Sequence, residues 1–262
     1  MANNLTVEKK NAVAVVTLNR PEVRNAFDDV LISNLNKTFL ELEKDETVRA
    51  VVLAGAGKAF CAGADLNWMK RMAGYGYEQN LADAQALAGM LRTLDRLSKP
   101  TLARVHGPAY AGGVGLVAAC DIAVGSHEAE FCLTEVKLGL SPATISPYVV
   151  RAMGERLARR YFLTAEVISA GEAHRLHLLS AVTAPQDLDG TIDAILHHIV
   201  AGGREAQARI KDLVRSVSVG AIDDAMIADT AKRIAEIRVS REGKEGIASF
   251  LEKRKPDWMK KL

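Results

Sequence analysis

Apolar residues recur in two rhythms along the first 190 positions. Ala12 to Leu18 is a β-rich apolar run closed by Asn19-Arg20-Pro21. Asp28 then stands where it can cap a helix whose Leu31, Leu35, Phe39 and Leu42 fall at helical spacing. Ala50 to Ala54 reads as a short buried strand closed by Gly55-Ala56-Gly57, Leu81 to Leu97 as a helix, and Thr101 to Val105 as a strand after Pro100. Gly112 to Cys120 is a small-residue helix, and Ile122 to Val124 and Glu130 to Leu133 are further strands. Beyond about residue 190 only helical patterns remain, over 192–200, 205–214, 223–237 and 243–253. The pattern predicts an α/β chain with a repeated β-turn-α core over residues 1–190 and a helical C-terminal region over 191–262.

Composition narrows the class. The chain has 262 residues, with 34 Lys+Arg against 32 Asp+Glu, a net charge of +2. That balance speaks against an extended nucleic-acid footprint. At 48% hydrophobic and 25% charged the chain is an ordinary globular mix. With only 5% aromatic residues, aliphatic side chains and alanine must fill most of the core. Residues 1–10 carry no apolar targeting region, and the uncharged stretch 107–120 is too short to span a bilayer. Cys61, Cys120 and Cys132 are odd in number and form no C-x-x-C, as expected of reduced thiols in a cytoplasmic protein.

Several motifs fail on inspection. Gly55-Ala56-Gly57-Lys58 lacks the first glycine and the Ser/Thr of a phosphate loop. His174 and His177 have no carboxylate or cysteine cluster to complete a metal site, so no metal is expected. Lys253-Arg254-Lys255 and Lys260-Lys261 make a small basic patch, either solvated or facing a polyanion such as a nucleotide phosphate.

Three segments carry chemistry. They are Thr17-Leu18-Asn19-Arg20-Pro21-Glu22-Val23-Arg24-Asn25-Ala26, then Gly57-Lys58-Ala59-Phe60-Cys61-Ala62-Gly63-Ala64-Asp65-Leu66, then His106-Gly107-Pro108-Ala109-Tyr110-Ala111-Gly112-Gly113-Val114-Gly115 with Glu130-Phe131-Cys132-Leu133-Thr134-Glu135 following. Small residues in Ala62-Gly63-Ala64 and Gly112-Gly113 let backbone N–H groups approach a ligand closely. Gly112 also stands where a helix starts, so its N–H has no partner within that helix and sits at the positive end of the dipole. Tight β-α turns alone would need the same small residues.

In order and spacing these segments, with Ser249-Phe250-Leu251-Glu252-Lys253-Arg254-Lys255 near the end, resemble the crotonase (enoyl-CoA hydratase/isomerase) superfamily over nearly the whole chain. The resemblance implies a crotonase-type spiral of repeated β-β-α units with a helical C-terminal region. It implies an oxyanion hole made by the N–H groups of Ala64 and Gly112 to hold a thioester enolate, and Glu135 as the acid/base. Coenzyme A would be part of the substrate, with no separate cofactor. Arg24 and Ala26 would line its nucleotide end, and Ala62, Asp65 and Leu66 would flank pantetheine and thioester. Phe250 and Lys253 would reach a neighbouring subunit's site in a homotrimer or a hexamer built as a dimer of trimers. Asp65 reads better as a loop-orienting residue than as a chemical one.

The resemblance has gaps. Hydratases of the family often carry a second Glu where this chain has Gly115, and the extra Asp of dienoyl-CoA isomerases falls on Ala143. Water, Ser141 or Thr144 are substitutes, although Ser141-Pro142 reads as a turn and Thr144 as a helix cap. Residues 65–72 and 132–148 look like those of bacterial 3-methylglutaconyl-CoA hydratases of leucine breakdown. A distal substrate carboxylate would need a cation, and Lys70 and Arg71 are placed to offer one. The rival readings are a general enoyl-CoA hydratase, a Δ3-Δ2 enoyl-CoA isomerase, which Gly115 favours, and, from another class, an RNA-binding protein.

Overall fold

A computed structural model describes residues 4–259, so Lys260 and Lys261 of the basic patch lie outside the described residues. The chain opens with an antiparallel pair, β1 (Leu5–Lys10) and β2 (Val13–Leu18), and then α1 (Asp29–Lys44) and β3 (Ala50–Gly55). Next come α2 (Leu66–Met72), α3 (Tyr77–Arg96), β4 (Thr101–Val105), β5 (Ala109–Tyr110) and α4 (Gly112–Ala119). β6 (Ile122–Ser126) and β7 (Glu130–Cys132) lead to α5 (Ser146–Met153) and α6 (Glu155–Thr164). β8 (Ile168–Ser169), α7 (Ala170–Arg175) and β9 (Ala181–Thr183) complete the spiral. The rest is helical, with α8 (Leu188–Ala201), α9 (Arg204–Val217), α10 (Asp224–Val239) and α11 (Arg241–Leu251).

The strands form two sheets. One runs β1-β2-β3-β4-β6-β9 and is parallel from β2 onward; the other runs β5-β7-β8. This is the mixed α/β spiral that the resemblance implies. Leu31, Leu35 and Phe39 of α1 and Leu91 and Leu94 of α3 cover one face of the large sheet, and Leu188, Ile192 and Leu196 of α8 cover the other, over Val13, Val52, Leu102 and Val124. The helical run therefore starts at Leu188, and its first helix is a layer of the sheet domain rather than an appendage.

Several elements escape the sequence pattern for physical reasons. β1 is an edge strand with Glu8, Lys9 and Lys10 exposed, so it lacks alternation. α3 begins at Tyr77 rather than Leu81, because its first turn faces solvent and is secured by the Gly76 N–H donating to Gln79 Oε1 at 3.1 Å. α5 to α7, β8 and β9 are too short to show a period. Thr144 does not cap α5; Ile145 holds that position with no side-chain cap. Asp28 does cap α1, accepting from the Leu31 N–H at 2.7 Å.

The turn after β2 is built on Asn25, which is fully buried. Arg24 and Asn25 are both left-handed, with φ 54° and 58°. The Asn25 amide accepts from the Arg20 N–H at 2.9 Å and donates to the carbonyls of Ala56 and Ala59, each at 2.8 Å. Replacing Asn25 by Ala would strand three backbone groups, one buried and two partly buried. Asn25→Ala should cost about 3 kcal/mol in urea denaturation, and a loss under about 1 kcal/mol would contradict this role.

Candidate active site

The geometry of the site follows from one row of paired residues. Cys61 bridges Ala109 in parallel, and Ala109 pairs with Phe131 across β5 and β7. The Tyr110 N–H donates to the Cys61 carbonyl and the Ala111 N–H to the Cys132 carbonyl, both at 2.8 Å. All three segments leave this row at the same end of the small sheet. Ala64 lies three residues past Cys61, Gly112 three past Ala109, and Glu135 four past Phe131. Parallel pairing thus converges the three residues that the sequence singled out.

The two amides are held by different means. Ala64 bridges Phe27 through its neighbours. The Phe27 N–H donates to the Gly63 carbonyl at 2.6 Å and the Asp65 N–H to the Phe27 carbonyl at 2.7 Å, so the Ala64 N–H points to the opposite side. Gly112 opens α4, where its N–H has no partner one turn back. The turn before it is strained: Ala111 has φ 46° and ψ −117°, a conformation that normally requires glycine. Glycine is obligatory on the other loop too. Gly63 has φ 90°, and a Cβ there would stand 3.1 Å from the Ala111 methyl.

Glu135 begins a short 3-10 turn, Glu135–Leu138, directly after β7. Its Oε2 is buried and meets no donor among the described residues. Burial pushes its carboxyl above the usual range, a shift that its own backbone amide only partly offsets. His106 is no rival base: burial lowers its pKa, and Nε2 lies 3.0 Å from the Gly57 carbonyl oxygen.

Two backbone N–H donors and one half-buried carboxyl suit enolate chemistry, and relatives carry the same arrangement of chain. The family model for enoyl-CoA hydratase/isomerase matches residues 8–261. An enoyl-CoA hydratase from Shewanella pealeana is 43% identical with a TM-score of 0.95, covering 98% of this chain and 96% of that one. The short-chain-enoyl-CoA hydratase of Clostridium acetobutylicum is 33% identical over 264 residues, 98% of both chains. The crotonyl-CoA hydratase of Syntrophomonas wolfei is 30% identical over 260 residues, again 98% of both. The chain belongs to the enoyl-CoA hydratase/isomerase family.

Against the family's two-carboxylate pattern, Gly115 is more than a missing Glu. A Cβ at 115 would stand 2.2 Å from Ile145 Cγ2 and 2.8 Å from its Cβ, and Ile145 is buried. The side chain at the N-cap of α5 fills the space that a second acid would need. Ser141 is exposed and Thr144 half-buried.

Of the remaining family positions, Arg24, Ala26, Ala62, Asp65 and Leu66 lie on two linked segments, joined by the Ala62 N–H donating to the Arg24 carbonyl at 3.0 Å and by Arg20 between Ala26 and Asp65. Asp65 is buried and caps α2, accepting from the N–H groups of Asn67 at 2.8 Å and Trp68 at 3.2 Å. Its burial works to raise the pKa, but those amides and Arg20 outweigh it and hold the carboxyl below its ordinary value. That carboxylate is committed to the loop. Arg24 and Leu66 are exposed, Ala62 is half-buried and Ala26 is buried. Arg71 already pairs with Asp29 at 2.5 Å, while Lys70 is exposed on the same short helix. Phe250 is 82% exposed at the end of α11, and Lys253 follows in a left-handed turn with φ 55°, far from the converging row in sequence. Arg254 beside it is occupied by Glu245 and Glu252.

Three organising residues carried no sequence signal as such. Arg20 and Asn25 lie inside a quoted motif, yet only the fold shows what they bind. Phe27 falls just past that motif and drew no reading from the sequence, yet its ring lies against Gly112 and its backbone brackets Ala64.

The raised Glu135 carboxyl has a consequence for stability. The folded state holds this proton more tightly than the unfolded chain does, so ionisation above the ordinary carboxyl value opposes folding. Glu135→Gln should therefore be more stable than the wild type at pH 7, with the difference shrinking as pH falls toward 4.5. Urea melts across that range check the sign; equal stability at pH 7 would contradict the desolvation.

Proposed function

We propose that this family member adds water to an α,β-unsaturated acyl-CoA thioester. The reading is supported by the paired row Cys61-Ala109-Phe131, from which the segments bearing Ala64, Gly112 and Glu135 leave at one end, and by the buried Glu135 Oε2, which meets no donor among the described residues. Glu135, ionised, takes a proton from water as the oxygen attacks C3. Charge moves to the thioester oxygen, where the two N–H groups receive it. Each such donor is worth about 3–4 kcal/mol in the transition state. Protonated Glu135 then returns the proton to C2, which closes the balance with one carboxyl. Coenzyme A enters as part of the substrate, and the chemistry needs no other cofactor.

We infer 3-methylglutaconyl-CoA as the preferred acyl group, giving 3-hydroxy-3-methylglutaryl-CoA as in leucine breakdown, from the likeness of residues 65–72 and 132–148 noted above. Lys70 is the cation left free to meet its distal carboxylate, since Arg71 serves Asp29. The exposed Phe250 and Leu251, and a groove of about 850 Å³ lined by Ile210, Leu213, Val217, Ile234 and Ile237, support assembly through the C-terminal helices. Such a trimer, or dimer of trimers, would bring Phe250 and Lys253 to a neighbour's coenzyme A, in a cytoplasmic setting suited to three thiols. Arg24, Ala26, Ala62 and Leu66 complete that cradle in this reading.

A second reading rests on Ile145. With the space beside Gly115 filled, a lone carboxyl suits moving a proton from C2 to C4, the isomerisation of a 3-enoyl-CoA.

The deciding experiment gives purified protein 3-methylglutaconyl-CoA and crotonyl-CoA side by side, following loss of the conjugated thioester absorbance. Preference for the first is expected; preference for crotonyl-CoA would make this a general hydratase, and no hydration of either would favour the isomerase. On the preferred substrate Glu135→Ala should lower turnover by roughly 100-fold or more. An unchanged rate would remove Glu135 from the mechanism.

A further inference from the structure

Phe27 meets both proposed oxyanion donors. Its backbone N–H and carbonyl bond to Gly63 and Asp65, at 2.6 and 2.7 Å, and so bracket Ala64. Its ring lies against Gly112: a Cβ there would stand 2.7 Å from Cε2 and 3.0 Å from Cδ2. The residue is 1% exposed, so the ring has no freedom to swing away. It also follows the Asn25 turn and precedes the Asp28 cap, which fix its backbone on both sides. The two donor loops are joined further back by the Tyr110 N–H donating to the Cys61 carbonyl at 2.8 Å, and Phe27 adds a contact at the donor positions themselves.

We infer that Phe27 is a positioning residue that sets the distance and angle between the Ala64 and Gly112 N–H groups. It touches no reacting atom in this scheme. Its backbone fixes one donor and its ring backs the other, so a shift of either loop is felt at Phe27. The inference rests on the hydratase reading of the site. Donor placement matters because an oxyanion hole works only when both N–H groups meet the oxygen at hydrogen-bond distance. A misplaced pair loses transition-state stabilisation while substrate binding through the coenzyme A portion survives.

The test compares wild type, Phe27→Ala and Phe27→Leu. It reads kcat and KM with crotonyl-CoA, and the absorption shift of a bound cinnamoyl-CoA, whose conjugated thioester reports polarisation by the hole. Phe27→Ala should lower kcat by about 10- to 100-fold per folded enzyme and diminish the absorption shift, with KM changed less than about threefold. Phe27→Leu keeps an apolar group behind Gly112 and should recover most of both signals. A folded Phe27→Ala enzyme with wild-type kcat and shift would overturn the inference, as would KM rising in step with the loss of kcat. Should Phe27→Ala fail to fold, Gly112→Ala probes the same contact from the other side. Its methyl presses on the ring, and an unchanged kcat there would overturn the inference equally. A wild type that hydrates neither 3-methylglutaconyl-CoA nor crotonyl-CoA and does not shift the chromophore overturns the hydratase reading and this inference together. Normal wild-type behaviour with an unaffected Phe27→Ala overturns this inference alone.

Discussion

The Arg20 guanidinium is the junction on which the site depends. It donates to the Ala26 carbonyl at 2.6 Å and pairs with Asp28 and Asp65, each at 3.0 Å. Asp28 caps α1 and Asp65 caps α2, so one cation ties together the starts of two helices and the loop that carries Ala64. Its side chain is only 17% exposed. Charges held in such a place interact far more strongly than on an open surface, and removing one partner would leave the others uncompensated. Asn25 acts beside it through three backbone groups, and Phe27 takes its position from both.

This dependence explains what the sequence could and could not disclose. Long periodic elements were legible: the apolar face of α1, the run of β3, and the small-residue helix α4 all follow from spacing and residue type. The converging triad was legible only through resemblance, because nothing in Ala64, Gly112 or Glu135 taken singly marks it as chemical. Its physical cause, the row Cys61-Ala109-Phe131, is a non-local pairing of strands two or three residues long, and no local pattern announces such pairs. Ile145 was invisible for the same reason. Its contact with Gly115 spans 30 positions and exists only once α5 packs on α4.

The electrostatic character of the site follows from these packing facts. Glu135 lies where burial penalises its charge, His106 is kept neutral in the same way, and an aliphatic side chain closes the place of a second acid. Cys61, in the donor loop, is withdrawn from chemistry by burial, which pushes its thiol up to about 12.

α4 is buried on nearly every side, from Gly113 to Ala119. Cβ atoms at Gly113 and Gly115 would meet the Cys61 carbonyl at 2.5 Å and the Ile145 side chain at 2.2 Å. A helix packed so tightly admits almost no change of side-chain volume. Any added volume along α4 would be passed on to the Cys61 loop on one side and to α5 on the other, so this helix is the stiff back wall against which the neighbouring segments are set.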